Sequence, residues 1–88
     1  MSWFVYIIRS EDGTYYKGSS EDPYKRLEHH NAGMSKYTSS KIPWKLVYIE
    51  ELPTKKEMLI REKKLKRGNA DYFIYLIKGS KNLLNQSS

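Results

Sequence analysis

Two short runs flanking a polar turn constrain this chain more than any other stretch. Trp3 to Ile8 is apolar and rich in β-branched residues, Thr14-Tyr15-Tyr16 is largely aromatic, and Glu11-Asp12-Gly13 lies between them. Strand-forming runs joined by Asp-Gly read as a β-hairpin, because Asp and Gly tolerate the positive φ that tight hairpin turns need. Strands are expected over residues 2–9 and 14–18, with Gly18 ending the second. Side chains alternate along a strand, so Val5, Ile7 and Arg9 face away from Tyr6, Ile8 and Ser10. Asp22-Pro23 then opens a helix, with Asp as N-cap and Pro where a missing N–H costs nothing. That helix is expected over 22–32 and closed by Gly33. Arg26 and His30 stand four residues apart and share one of its faces.

Composition narrows the partners. Eighty-eight residues make one domain with a modest core. Sixteen Lys and Arg against ten Asp and Glu give a net charge of +6, which favours a polyanion, either nucleic acid or an anionic membrane surface, and of these DNA is the expected partner. The absence of cysteine excludes disulfides, zinc–thiolate sites and cysteine nucleophiles. No apolar run is long enough to span a membrane, and Trp3 to Ile8 lacks the flanks of a signal peptide, so no membrane association is expected and the cytoplasm is the expected location. Of the eight tyrosines, most are expected to pack strands and one or two to do chemistry.

Beyond the first helix, Met34 to Trp44 is a polar, basic connection without a clear period. Its ordinary reading is a solvated loop; its functional reading is a phosphate-contacting loop carrying Lys36 and Lys41. Lys45 to Glu50 is the third strand, with Leu46, Tyr48 and Glu50 expected on one side, Val47 and Ile49 on the other, and Pro53 as its stop. Thr54-Lys55-Lys56-Glu57 is a capping box that opens a second helix running to about Lys66. Asp71 to Lys78 is a third helix, with Phe73, Leu76 and Ile77 apolar. The fold class is therefore α+β: a three-stranded antiparallel sheet flanked by helices. Residues 1–78 form the domain, and 79–88 a flexible tail anchored only by Leu83 and Leu84.

Glu62 breaks its local rule. Met58, Leu59 and Leu65 mark the core-facing stripe of the second helix, and Glu62 falls among them. A carboxylate there is costly unless it is paired or holds a cation. A salt bridge to Lys66 or Lys63 is the ordinary explanation. Arg26 likewise has an ordinary reading as a helix charge pairing with Asp22, and His30 as a C-terminal helix charge.

In order along the chain, Phe4-Val5-Tyr6, Tyr16-Lys17-Gly18, Arg26 with His30-Asn31, and Arg61-Glu62-Lys63 resemble the motifs of the GIY-YIG endonucleases. The similarity runs from about Trp3 to Ile77. It is nearest to the small stand-alone branch and to the N-terminal nuclease domain of the excinuclease. The chain departs from the pattern at Phe4, where the leading glycine is replaced, and at Ser19, after the second motif. The late asparagine of some members lacks a counterpart, Asn69 being too near. The resemblance implies a catalytic set of Tyr6, Tyr16, Arg26, His30 and Glu62, with Glu62 holding Mg²⁺ or Mn²⁺. It implies hydrolysis of DNA phosphodiesters, structure- rather than sequence-selective, in repair or recombination. Lys17, Lys36 and Lys41 are the expected nucleic-acid contacts. The chain is expected to be a monomer or weak dimer without a fixed protein partner. A non-catalytic nucleic-acid-binding module on the same scaffold is the alternative, and a basic protein-interaction domain a weaker third.

Overall fold

The computed structural model describes residues 2–86. Three strands, β1 (Trp3–Ser10), β2 (Tyr15–Ser20) and β3 (Trp44–Leu52), form one antiparallel sheet in the order β2-β1-β3. Three helices cover it: α1 (Pro23–Asn31) on one face, α2 (Lys55–Lys66) and α3 (Ala70–Lys78) on the other. The expected α+β architecture with three antiparallel strands is the one observed.

The hairpin closes through a three-residue loop. Ser10 N–H bonds to the Thr14 carbonyl, Gly13 N–H bonds to the Ser10 carbonyl, and Gly13 alone takes positive φ, at 88°. The turn therefore uses one left-handed residue followed by a bulge, not two. Gly18 does not end β2, which continues to Ser20. At α1, Asp22 accepts from Lys25 N–H at 3.1 Å, and Pro23 is the first helical residue. The helix closes with paired bonds from Gly33 N–H to His30 and from Met34 N–H to His29, with Gly33 at φ 76°. Thr54 caps α2 through Glu57 N–H; the Glu57 carboxylate answers by accepting from the Thr54 hydroxyl.

Two expectations about faces are corrected. In β3, Ile8 of β1 pairs with Leu46 but Ile7 pairs with Tyr48, so Val47 is an extra residue in the ladder. This bulge sends Leu46 and Ile49 toward α1, while Val47 and Tyr48 both face α2 and α3. In α2, the buried apolar positions are Met58 and Leu65; Leu59 is exposed with Ile60. Arg61 and Glu62 take the inward flanks instead, because each has a polar partner there.

Residues 79–86, expected as part of a flexible tail, are docked. Asn82 is buried: its side-chain oxygen accepts from Ile49 N–H, and its amide donates to the Val47 and Ile77 carbonyls. It thus pairs with the outer edge of β3 as a further strand would, beside the bulge where the ladder is irregular. Ser87 and Ser88, the end of that expected tail, lie outside the described residues, as does Met1.

Candidate active site

The site begins at Tyr6, in the middle of β1, opposite Gly18 of β2. With no side chain at Gly18, the Tyr6 ring lies across β2 toward its free edge. A Cβ placed there would stand 2.6 Å from the phenol oxygen. Tyr6 is 1% exposed, and its hydroxyl is 3.0 Å from His30 Nε2. His30, fully buried, sets its other ring nitrogen 2.7 Å from the Thr38 hydroxyl, which is also buried. The Thr38 hydroxyl in turn reaches the Ser35 carbonyl at 3.5 Å. With its proton directed there, His30 Nδ1–H donates to Thr38 and Nε2 accepts from the Tyr6 hydroxyl. The result is a buried chain from Tyr6 through His30 to Thr38.

Tyr16 joins this chain from β2. Its ring meets His30 edge-on at 5.0 Å and Trp44 at 6.5 Å, and it is half-buried. Trp44 fixes the loop that carries Thr38: its indole N–H donates to the Thr38 carbonyl at 2.9 Å, and Asn31 brackets the Trp44 backbone. Arg26, one turn before His30, is half-buried; the expected ion pair with Asp22 is not among those of the described residues, and Asp22 caps the helix instead.

Charge ties these groups together. Burial raises the Tyr6 pKa above its ordinary value, while the Arg26 guanidinium beside the phenol pulls the other way. Tyr16 and the Glu62 carboxylate also act on the phenol and raise it. Burial lowers the His30 pKa, and the charges of Arg26 and His29 lower it further, so His30 is held neutral as the chain requires.

Glu62 arrives from the opposite layer. Ser19, on the α2 face of β2, donates to Glu62 Oε1 at 2.9 Å, and Lys66 pairs with Oε2 at 3.3 Å. The carboxylate is 19% exposed. The site therefore straddles the free edge of β2, with the tyrosines, Arg26 and His30 on one face and Glu62 reaching round from the other. Ser19, a departure from the family pattern, has a defined role here as the hydroxyl that orients Glu62.

The three expected nucleic-acid lysines are scattered. Lys17 lies on the α2–α3 face, its ammonium 5.0 Å from the Phe73 ring centre, and burial with the nearby charge of Lys66 lowers its pKa. Lys36 is exposed. Lys41 pairs with Asp12 at 2.7 Å. Sequence reasoning missed Thr38, Arg61 and Asn82. Arg61 donates to Glu50 at 2.9 Å and to the Tyr72 hydroxyl at 3.1 Å, and Tyr48 donates to the same Glu50 oxygen. This half-buried network holds α2, and with it Glu62, against β3 and α3.

A divalent cation can be tested against this donor set. Among the described residues no three His, Asp or Glu side chains converge as a metal cage. Mg²⁺ needs no cage: one carboxylate, several waters and a substrate phosphate satisfy it. Glu62 fits that demand, since its neighbour Lys66 is an exposed side chain able to move aside.

The fold and this arrangement define a GIY-YIG nuclease domain, and the chain belongs to that family: the GIY-YIG catalytic domain model matches residues 2–75. UPF0213 proteins from Staphylococcus aureus strains Mu3 and Mu50 are each 42% identical over 78 residues, covering 88% of this chain and 95% of the relative. The solution NMR structure of a UPF0213 protein from Bacillus halodurans is similar at a TM-score of 0.59 and 28% identity, over 96% of this chain and 90% of that one. Among the described residues no helix is long and apolar enough to cross a membrane.

Proposed function

We propose that the protein is a divalent-metal-dependent DNA endonuclease of the cytoplasm, selective for DNA structure, with a place in repair or recombination. The observation that carries this reading is the Tyr6–His30–Thr38 chain, with Arg26 and Glu62 acting on the same phenol from two faces of the sheet. Phosphodiester hydrolysis needs an attacking water stripped of its proton, charge stabilisation on the phosphorane and a neutralised leaving oxygen. Tyr6 is suited to the first task as a relay. A free phenol is a poor base near neutral pH, but Tyr6 can pass its own proton to neutral His30 Nε2 while accepting one from water. Arg26 supplies a planar, permanently charged fork for the non-bridging oxygens. Tyr16 packs the ring of His30 and orients the relay. Glu62 would hold Mg²⁺ or Mn²⁺, which supplies charge neutralisation at the scissile phosphate when bound.

A second reading, a nucleic-acid-binding module without chemistry, is favoured by one observation: both Glu62 oxygens already have protein partners, Ser19 and Lys66. The deciding experiment is cleavage of supercoiled plasmid and branched DNA with and without Mg²⁺, for wild type beside Glu62→Ala and Tyr6→Phe. Metal-dependent cleavage lost in both variants supports the nuclease; binding without cleavage in the wild type supports the module.

A further inference from the structure

A second cluster lies outside the catalytic set. Between α2, α3 and the segment that follows is a cavity of about 380 Å³. Arg61, Lys64 and Lys81 line it, with Tyr72, Tyr75 and the backbone of Gly79; no acidic side chain does. Arg61 is neutralised by Glu50, but Lys64 and Lys81 make no ion pair among the described residues. Among the described residues, the cavity therefore carries two cations without an ion-pair partner. At the end of α3, Asn82 and Asn85 donate to the Ile77 carbonyl and Asn85 also to that of Gly79, so these two acceptors are already satisfied. Tyr72 is fixed by its bond to Arg61, whereas Tyr75 is 72% exposed. Core packing does not account for so exposed an aromatic ring beside two unpaired cations.

We infer that this cavity is a second nucleic-acid subsite, which takes one unpaired nucleotide with its base stacked on Tyr75 and its phosphates against Lys64 and Lys81. The volume is in the range of single small-ligand pockets. Stacking on an aromatic ring beside a cationic track is how proteins hold single strands without reading sequence. An acidic peptide would answer the charge but leave Tyr75 without a function. Arg61 and Glu62 are consecutive on α2 and point about 100° apart, on either side of its core-facing line, so an unpaired strand seated here lies beside the proposed catalytic edge. This deepens the nucleic-acid reading above, yet the two fail separately, since cleavage is judged by Glu62→Ala and this subsite by binding alone.

The test uses the whole protein without added metal. A fluorescein-labelled oligothymidylate, a blunt duplex of equal length and poly-glutamate are titrated by anisotropy, and the oligothymidylate also by amide NMR. Tyr75→Ala should weaken oligothymidylate binding roughly tenfold while Tyr75→Trp preserves it. Lys64→Ala with Lys81→Ala should lower the salt slope by roughly 1.4, the value for two phosphate contacts on a single strand. Amide shifts should appear at Lys64, Tyr75, Ser80 and Lys81. These side chains are exposed, so the variants should fold. Wild-type affinity in Tyr75→Ala with no shifts at those amides would overturn the subsite. So would binding of poly-glutamate as tight as that of the oligothymidylate, or a preference for the blunt duplex.

Discussion

Gly18 and Tyr6 face each other across β2 and β1, and a Cβ on Gly18 would stand 2.6 Å from the Tyr6 oxygen and 2.7 Å from its ring carbon Cζ. The glycine is required by this close approach, not by any unusual backbone angle, since only Gly13 and Gly33 take positive φ among the described residues. Gly18→Ala should therefore displace the Tyr6 ring from His30 and destabilise the fold by about 1 to 3 kcal/mol, as overpacking does. Denaturant melts measure the stability. The His30 ring ¹⁵N shifts report whether the Tyr6 bond survives; unchanged shifts would mean that the ring has room to yield.

The buried relay should make stability depend on pH in one direction. Burial, Arg26 and His29 hold the folded His30 pKa below its unfolded value of 6.5. The unfolded chain therefore binds this proton at higher pH than the folded one. Stability should be full above about pH 7, fall as pH drops through 6.5, and level off once the folded imidazole is itself protonated. His30→Gln should flatten that segment of the curve in urea midpoints measured across pH. Thr38→Val should disturb the tautomer seen by ¹⁵N shifts, while Thr38→Ser preserves it. A His30 that titrates at its unfolded pKa would contradict the burial argument.

Asn82 marks a boundary between what the sequence discloses and what it does not. The hairpin, the Asp22 and Thr54 caps and the Gly33 close were legible because each depends on residues within a few positions. The candidate set Tyr6, Tyr16, Arg26, His30 and Glu62 was legible only as an ordered set resembling a family, since each residue alone has an ordinary explanation. Asn82 carries only the local signal of a cap, accepting from Leu84 N–H, and nothing nearby in sequence tells of its bonds to β3. Its β3 partners Val47 and Ile49 lie far back in the chain, and the bulge that exposes them comes from pairing between β1 and β3. Thr38 was hidden in the same way, inside a stretch that reads as a solvated loop. Leu59 was misassigned because apolar periodicity cannot foresee that Arg61 and Glu62 find partners inside. Asn82→Ala should strand the Val47 carbonyl and the Ile49 amide and cost about 2 to 3 kcal/mol. Hydrogen exchange at Ile49 should quicken more than at Tyr6; uniform quickening would point to global loosening instead.

Arg61 and Glu50 form a pair with each side chain 15% exposed. Removing one partner leaves the other charge half-buried beside Tyr48 and Tyr72. Arg61→Met or Glu50→Gln alone should cost about 3 kcal/mol, and the double variant less than the sum, because replacing both charges removes the desolvation penalty as well. A thermal-melt double-mutant cycle measures the coupling. Additive losses would show that the two side chains act independently.

Glu62, Lys66 and Arg26 should separate metal binding, its competition and transition-state charge. The pairing of Glu62 with Ser19 and Lys66 removes the reason to expect that deleting the carboxylate stabilises the fold, so Glu62→Ala should change stability by less than about 1 kcal/mol. It should abolish cleavage and leave DNA binding intact, because the chain becomes more positive. Lys66→Gln should tighten Mg²⁺ binding severalfold, since an ammonium at 3.3 Å competes for the same oxygen. Arg26→Ala should bind Mg²⁺ normally and lose roughly 2 to 4 kcal/mol of transition-state stabilisation. Arg26→Lys should recover only part of it, because a point charge lacks the planar fork. Mg²⁺ titrations and single-turnover cleavage rates across the four variants measure these effects. Full activity in Glu62→Ala would remove the metal from Glu62 and leave the binding-module reading ahead, whereas equal losses of metal affinity in Glu62→Ala and Arg26→Ala would mean that Arg26 supports the fold of the site, not the charge of the reaction.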